Sequence, residues 1–121
     1  MPNYLTHFKL DEFRCKCGCG GLKISNRSAK KLDNARAIAG IPFIILSAYR
    51  CEEHNNKVSQ VEMSAHRTGH AYDIKATNSR DRCKILISLI TAGFNRFGLY
   101  SNFIHVDDDP SKPKDVMWHG E

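Results

Sequence analysis

The sequence predicts an α+β fold: a single small domain, 1–121, with a mostly antiparallel sheet flanked by helices. Three observations predict it. Only two long stretches carry helical periodicity, Asn26–Ala39 and the run that follows Ser79. Helices and strands read as segregated groups, most plainly at the C-terminal end, where Gly98–Tyr100 and Phe103–Asp107 are joined by only Ser101–Asn102. Finally, 121 residues suit one domain with a core of its own.

The elements follow in chain order. The first 25 residues are loop-rich, with Cys15, Cys17 and Cys19 interleaved with Lys16, Gly18, Gly20 and Gly21. In the helix Asn26–Ala39, Asn26 or Ser28 can cap the start, Ala29, Leu32, Ala35, Ile38 and Ala39 share one face, and Gly40 ends it. Pro42 opens the β-branched run Phe43–Ser47, read as a buried strand, and a turn or short helix follows over Arg50–Val58. His70–Lys75 is the next strand. Ser79 caps the second helix, whose inward stripe is Arg82, Ile85, Leu86, Leu89 and Ile90, and Gly93 closes it. The tail Asp115–Trp118 adds an edge strand.

Composition narrows the function classes. Charged residues make up 26% and apolar residues 41%, values of an ordinary globular chain rather than a disordered or fibrous one. The longest apolar runs, Ile41–Leu46 and Ile85–Ile90, are too short for a membrane span. Lys and Arg number 18 against 13 Asp and Glu, a net charge of +5 that favours anionic surroundings. The basic residues are scattered, so neither a nucleic-acid nor a membrane partner is expected. The opening MPNYLTHFKLDEFR lacks a cationic start with an apolar stretch behind it, so a cytoplasmic location is expected. In that setting five cysteines are expected as thiols.

The chemistry concentrates in two segments. Ser64–Ile74 holds His66 and, seven residues on, Asp73, with Gly69 permitting the turn between them. Phe103–Asp107 holds His105 and Asp107, which face the same side of a strand. His66, Asp73 and His105 form a two-histidine, one-carboxylate set that suits a catalytic zinc with an open position for water. Spacing alone favours the plainer reading, with His66 and His105 as surface or core histidines and Asp73 as a turn acid.

The segment Ser64-x-His66-x2-Gly69-x-Ala71-x-Asp73-Ile74 resembles the zinc D-alanyl-D-alanine carboxypeptidase family, which includes phage endolysins that cut peptidoglycan stem peptides. Three further motifs resemble it in order: His7–Phe13, Ser47-Ala-Tyr49-Arg50 with Glu53-His54-Asn55, and Phe103-Ile-His105-Val-Asp107. The resemblance implies a hedgehog/DD-peptidase-like fold, Zn2+ as cofactor, and His66, Asp73 and His105 as its ligands. It implies that Arg50 anchors a substrate carboxylate, for which a planar guanidinium is suited. Read alone, Arg50 is a surface ion pair. Ser64 is implied to bind substrate, against a plain reading as a turn hydroxyl. The implied activity is hydrolysis of peptidoglycan stem peptides, as carboxypeptidase or endopeptidase, by a monomer released to act on the cell wall during phage or prophage lysis.

The chain departs from the family pattern in places. Ala48 replaces the usual glycine, and Ser59–Met63 replaces a Gly-rich turn. Asn102 stands where the dipeptide-cleaving branch carries its glutamate base, and it cannot take a proton. Asp107 is the candidate base in its place, with Glu53, His54 and His119 as rivals. The competing reading makes Asp107 a group that orients a ligand histidine, or one acid of a solvated turn.

Two other functions stay open at this level: a non-catalytic binding module or virion component that keeps the zinc fold, and a metal nuclease built on Asp107-Asp108-Asp109. Cys15, Cys17 and Cys19, with Cys51, Cys83 or His7, could form a second zinc site. Their spacing is not the usual C-x2-C, so the favoured expectation is a Gly-rich loop with small buried thiols. Trp118 is expected in the core.

Overall fold

A computed structural model describes residues 5–59 and 63–121. A short 3-10 turn, Leu10–Phe13, precedes helix α1, Asn26–Ala39. The cap of α1 is Ser25, one residue before the expected positions, and its hydroxyl accepts from Ser28 N at 3.2 Å. Gly40 ends the helix at φ 70°, a left-handed conformation that glycine adopts without steric cost. Ala29, Leu32 and Ala35 are buried, but Ile38 is 51% exposed. Asp33 is buried instead, because its carboxylate accepts from Thr6 N at 3.0 Å and His7 N at 2.7 Å and so ties the N-terminal segment to α1.

Strand β1 is Ile45–Ser47, shorter than expected. It lies at a sheet edge, and Ile44 and Leu46 are exposed while Phe43 and Ile45 face the core. Helix α2 is Glu52–Val58. Strand β2 is Ala71–Lys75, and α3 is Ser79–Thr91, capped by Asn78 rather than Ser79. Ile85 and Leu89 of α3 are buried, and Leu86 is partly so. Ile90 is 50% exposed, off the inward stripe. Strands β3, Arg96–Leu99, β4, Phe103–Asp107, and β5, Val116–His119, complete the sheet.

The strand order is β1-β2-β4-β3-β5, and every pair is antiparallel except β3–β5. The predicted α+β class holds, with a mixed sheet. Alternation along the two central strands sorts their side chains. Tyr72 and Ile74 of β2 join Ile104 and Val106 of β4 in the core cluster that also holds Leu32 and Leu89 of the helices. Asp73, His105 and Asp107 fall on the other face. No described helix is long and apolar enough to cross a membrane.

Candidate metal centre

Strand register builds the centre. Ser47, Asp73, His105, Gly98 and Trp118 are successive partners across all five strands, so they form one row on the polar face. His66 joins this row from a turn rather than a strand. Gly69 makes that turn at φ 79°, where a Cβ would come 2.5 Å from the Lys23 carbonyl oxygen, so no side chain fits. The Ser64 hydroxyl accepts from His66 N at 3.2 Å, and Arg50 N donates to the His66 carbonyl at 3.1 Å. Backbone bonds thus fix His66 against the end of β1.

Three ligand-type atoms converge. Asp73 Oδ1 lies 3.2 Å from His66 Nε2 and 3.0 Å from His105 Nδ1. All three lie within 4.8 Å of one another. A tetrahedral zinc with bonds of about 2.0–2.1 Å sets its ligands ~3.3–3.4 Å apart, so the spacing suits it.

The outer ring nitrogens sharpen the fit. His66 Nδ1 donates to the Ala48 carbonyl at 2.6 Å, which can only accept. His105 Nε2 meets Asp107 Oδ2 at 2.7 Å, also an acceptor when ionised. In neutral rings the inner nitrogens then present lone pairs to a carboxylate oxygen. Either a proton on an inner nitrogen or a metal cation resolves that contact, and histidines oriented through their outer N–H are the usual setting of a bound metal.

The same contacts set the electrostatics. Burial would raise the Asp73 carboxyl, but hydrogen bonds from His105 and His66 outweigh it and hold it well below the usual carboxylate range. Burial works against charge on His105, yet Asp107 and Asp73 overcome it and lift the imidazole to about 8. Burial pushes His66 down, and Asp73 only partly offsets this. Asp107 is also lowered: burial opposes ionisation, but His105 and Arg96 prevail.

An open cleft of about 400 Å³ lies over the centre, walled in part by Arg50, Ser64, Tyr100, Lys112 and Trp118. Arg50 is not a surface ion pair. It is largely buried, donating from Nη2 to Asp73 Oδ2 at 3.2 Å and from Nε to Ser47 Oγ at 3.1 Å. Ser64 does serve as the turn hydroxyl, and it also faces the cleft. Trp118 lines the cleft rather than the core, with its ring 5.4 Å from His105 and its Nε1 donating to Tyr100 Oη at 2.9 Å. Gly98 makes room for it, since a Cβ there would come 2.6 Å from Trp118 Nε1.

Asp107 is 1% exposed and engaged through both oxygens. Oδ2 faces His105, while Oδ1 accepts from Arg96 Nε at 2.7 Å and Asp109 N at 3.2 Å. The rest of the acidic run disperses, with Asp108 pairing with Lys31 and Asp109 accepting from Ser111. The nuclease reading thus loses its cluster. Glu53 and His54 line a separate pocket with Cys17 and Cys19, and His119 is exposed on β5. Of the Ser59–Met63 departure, residues 60–62 lie outside the described residues.

Arg96 was not legible in the sequence. It is buried, bonds Asp107 and the Pro113 carbonyl, and lies 5.4 Å from the Trp118 ring. Only the β3–β4 register, which pairs Arg96 with Asp107, reveals it.

A family model described as Peptidase M15 matches residues 6–107, a span that contains all four motifs read from the sequence. No curated protein matches the chain.

Proposed function

The chain belongs to the peptidase M15 family, and from that premise we propose that it is a zinc peptidase acting on peptidoglycan stem peptides. The observation that carries this reading is the convergence of His66 Nε2, Asp73 Oδ1 and His105 Nδ1 at the floor of an open cleft. When bound there, zinc supplies Lewis-acid polarisation of the scissile carbonyl and a water acidified towards pH ~7.

The protein's own groups do the remaining work. Ala48 O and Asp107 hold the two imidazoles in the tautomers that leave Nε2 of His66 and Nδ1 of His105 free to bind metal. Arg50 orients the Asp73 carboxylate and presents its guanidinium to the cleft, where a peptide carboxylate would pair with it. Lys112 adds positive charge at the rim. Stem peptides carry D-Glu and terminal D-Ala carboxylates, which such a cleft complements. We assign Asp107 a positioning role through His105 rather than that of the base.

Digestion of purified peptidoglycan, followed by mass spectrometry of the fragments, tests the proposal and identifies the bond cut. Stem-peptide fragments that vanish with chelator and return with zinc are expected. An intact, zinc-loaded protein that releases none would overturn the peptidase reading and leave a binding module. A role in lysis is supported by the resemblance to phage endolysins. It predicts that cells lyse when the chain is expressed with an added export signal and survive when it stays in the cytoplasm.

A further inference from the structure

Four cysteines gather at one point away from the cleft. Cys15, Cys17 and Cys19 come from the N-terminal loop, and Cys51 is the N-cap of α2. Cys15 Sγ lies 3.4 Å from Cys17 Sγ and 3.7 Å from Cys51 Sγ, and Cys17 Sγ lies 3.7 Å from Cys51 Sγ. Cys19 Sγ completes the set within 4.8 Å of the others. These separations are too long for disulfides, whose sulfurs sit ~2.05 Å apart. They are close to the ~3.8 Å edge of a sulfur tetrahedron around zinc with bonds of about 2.3 Å.

The backbone is arranged to support thiolates. Cys51 N points at Cys15 Sγ at 3.4 Å, His54 N at Cys51 Sγ at 3.4 Å, and Gly21 N at Cys19 Sγ at 3.3 Å. Gly18 at φ 91° and Gly20 at φ 75° fold the loop back on itself. The expectation of small buried thiols fails at Cys17 and Cys19, which are exposed, so packing does not account for them. Of the fourth ligands considered, Cys83 lies on α3 and His7 near Asp33, and neither joins the group.

We propose that Cys15, Cys17, Cys19 and Cys51 bind a second zinc in a closed, four-sulfur structural site. Each thiol that binds releases its proton to solvent. The site would staple the N-terminal loop to the start of α2, immediately after Arg50. A flanking hydrogen bond, Tyr49 N to Phe13 O at 3.1 Å, runs across the same junction, and Cys15 N to Gly21 O at 2.9 Å closes the loop itself.

The test is metal stoichiometry on the full chain, purified under reducing conditions with zinc, together with cobalt(II) reconstitution. Wild type should hold about two zinc ions and His66→Ala about one. Cobalt-loaded His66→Ala should show intense sulfur-to-cobalt charge-transfer absorption, and a Cys17→Ser/Cys19→Ser double variant should lack it. Zinc-loaded His66→Ala should expose only Cys83 to a thiol reagent, and all five cysteines after chelation and denaturation. A wild type with one zinc and a His66→Ala protein with none would overturn the proposal, as would disulfides within the cluster of the freshly reduced protein. A His66→Ala protein that keeps all the wild-type zinc, with the charge-transfer bands, supports this site and instead sinks the histidine centre. Because the cobalt spectrum is read on a chain with all its cysteines, misfolding of the serine variant does not shield the proposal.

Discussion

His105 and Arg96 grip Asp107 from two sides, each at 2.7 Å, and both are donors towards it. A general base needs an oxygen that can reach the attacking water, and both oxygens of Asp107 already have partners. Asparagine in its place would lose the charge and turn an NH2 group towards one of those donors. Asp107→Asn should therefore weaken zinc binding about 10–100-fold, with turnover recovering as zinc is raised to saturation. Competition against a zinc chelator measures the affinity. Wild-type zinc affinity with turnover down ~100-fold or more would make Asp107 the base after all. Arg50 invites a different split. Lysine keeps the charge but cannot bond Ser47, Asp73 and a substrate carboxylate together. Arg50→Lys should raise KM for a stem peptide about tenfold, near 1.4 kcal/mol, with zinc content unchanged. An unaltered KM would confine Arg50 to holding Asp73.

Turns and strand registers decide where these residues meet, and two glycines show how differently turns bear on the centre. Gly40 at φ 70° has open space where a Cβ would go, so Gly40→Ala should cost only the left-handed penalty, about 1 kcal/mol. Gly69 at φ 79° would drive a Cβ into backbone atoms of Lys23 and Ile24, which have no rotamer to yield. Gly69→Ala should cost about 3 kcal/mol or more and displace His66, weakening zinc as well. Urea unfolding of the two variants checks the ranking, and equal costs would mean the turn at Gly69 relaxes freely. The same level explains what the sequence made legible. Helix periodicity and Gly40 located α1 from Asn26 to Ala39, because both signals are local. Two of the four family motifs singled out His66, Asp73 and His105, because each of those motifs is contiguous. Arg96, Trp118 and the fourth sulfur of Cys51 depend on which strand or loop lies alongside, a matter of pairing across the chain that no local pattern encodes. Ile38 and Ile90 misled because an apolar residue at helical spacing is buried only where another element covers it.

At the scale of the whole molecule the sheet separates stability from chemistry. One face carries the apolar core beneath α1 and α3, and the other carries the row from Ser47 to Trp118. Perturbing the two faces should then give opposite signatures. Leu89 is fully buried in the core cluster, so Leu89→Ala should destabilise the chain by about 2–5 kcal/mol through lost burial and a residual cavity. The molecules that remain folded should bind zinc at the histidine centre with near wild-type affinity. His66→Ala should lose that zinc and keep a cooperative fold, since its ring sits among polar partners outside the core cluster. With metal removed from every sample, the linkage between binding and stability drops out. The double variant's loss should then equal the sum of the single losses within about 0.5 kcal/mol, as for sites without shared partners. Urea denaturation of the four chelated proteins measures this. A coupling well above 0.5 kcal/mol would show that the core holds His66 in place through the sheet, and that the two faces are not energetically separate.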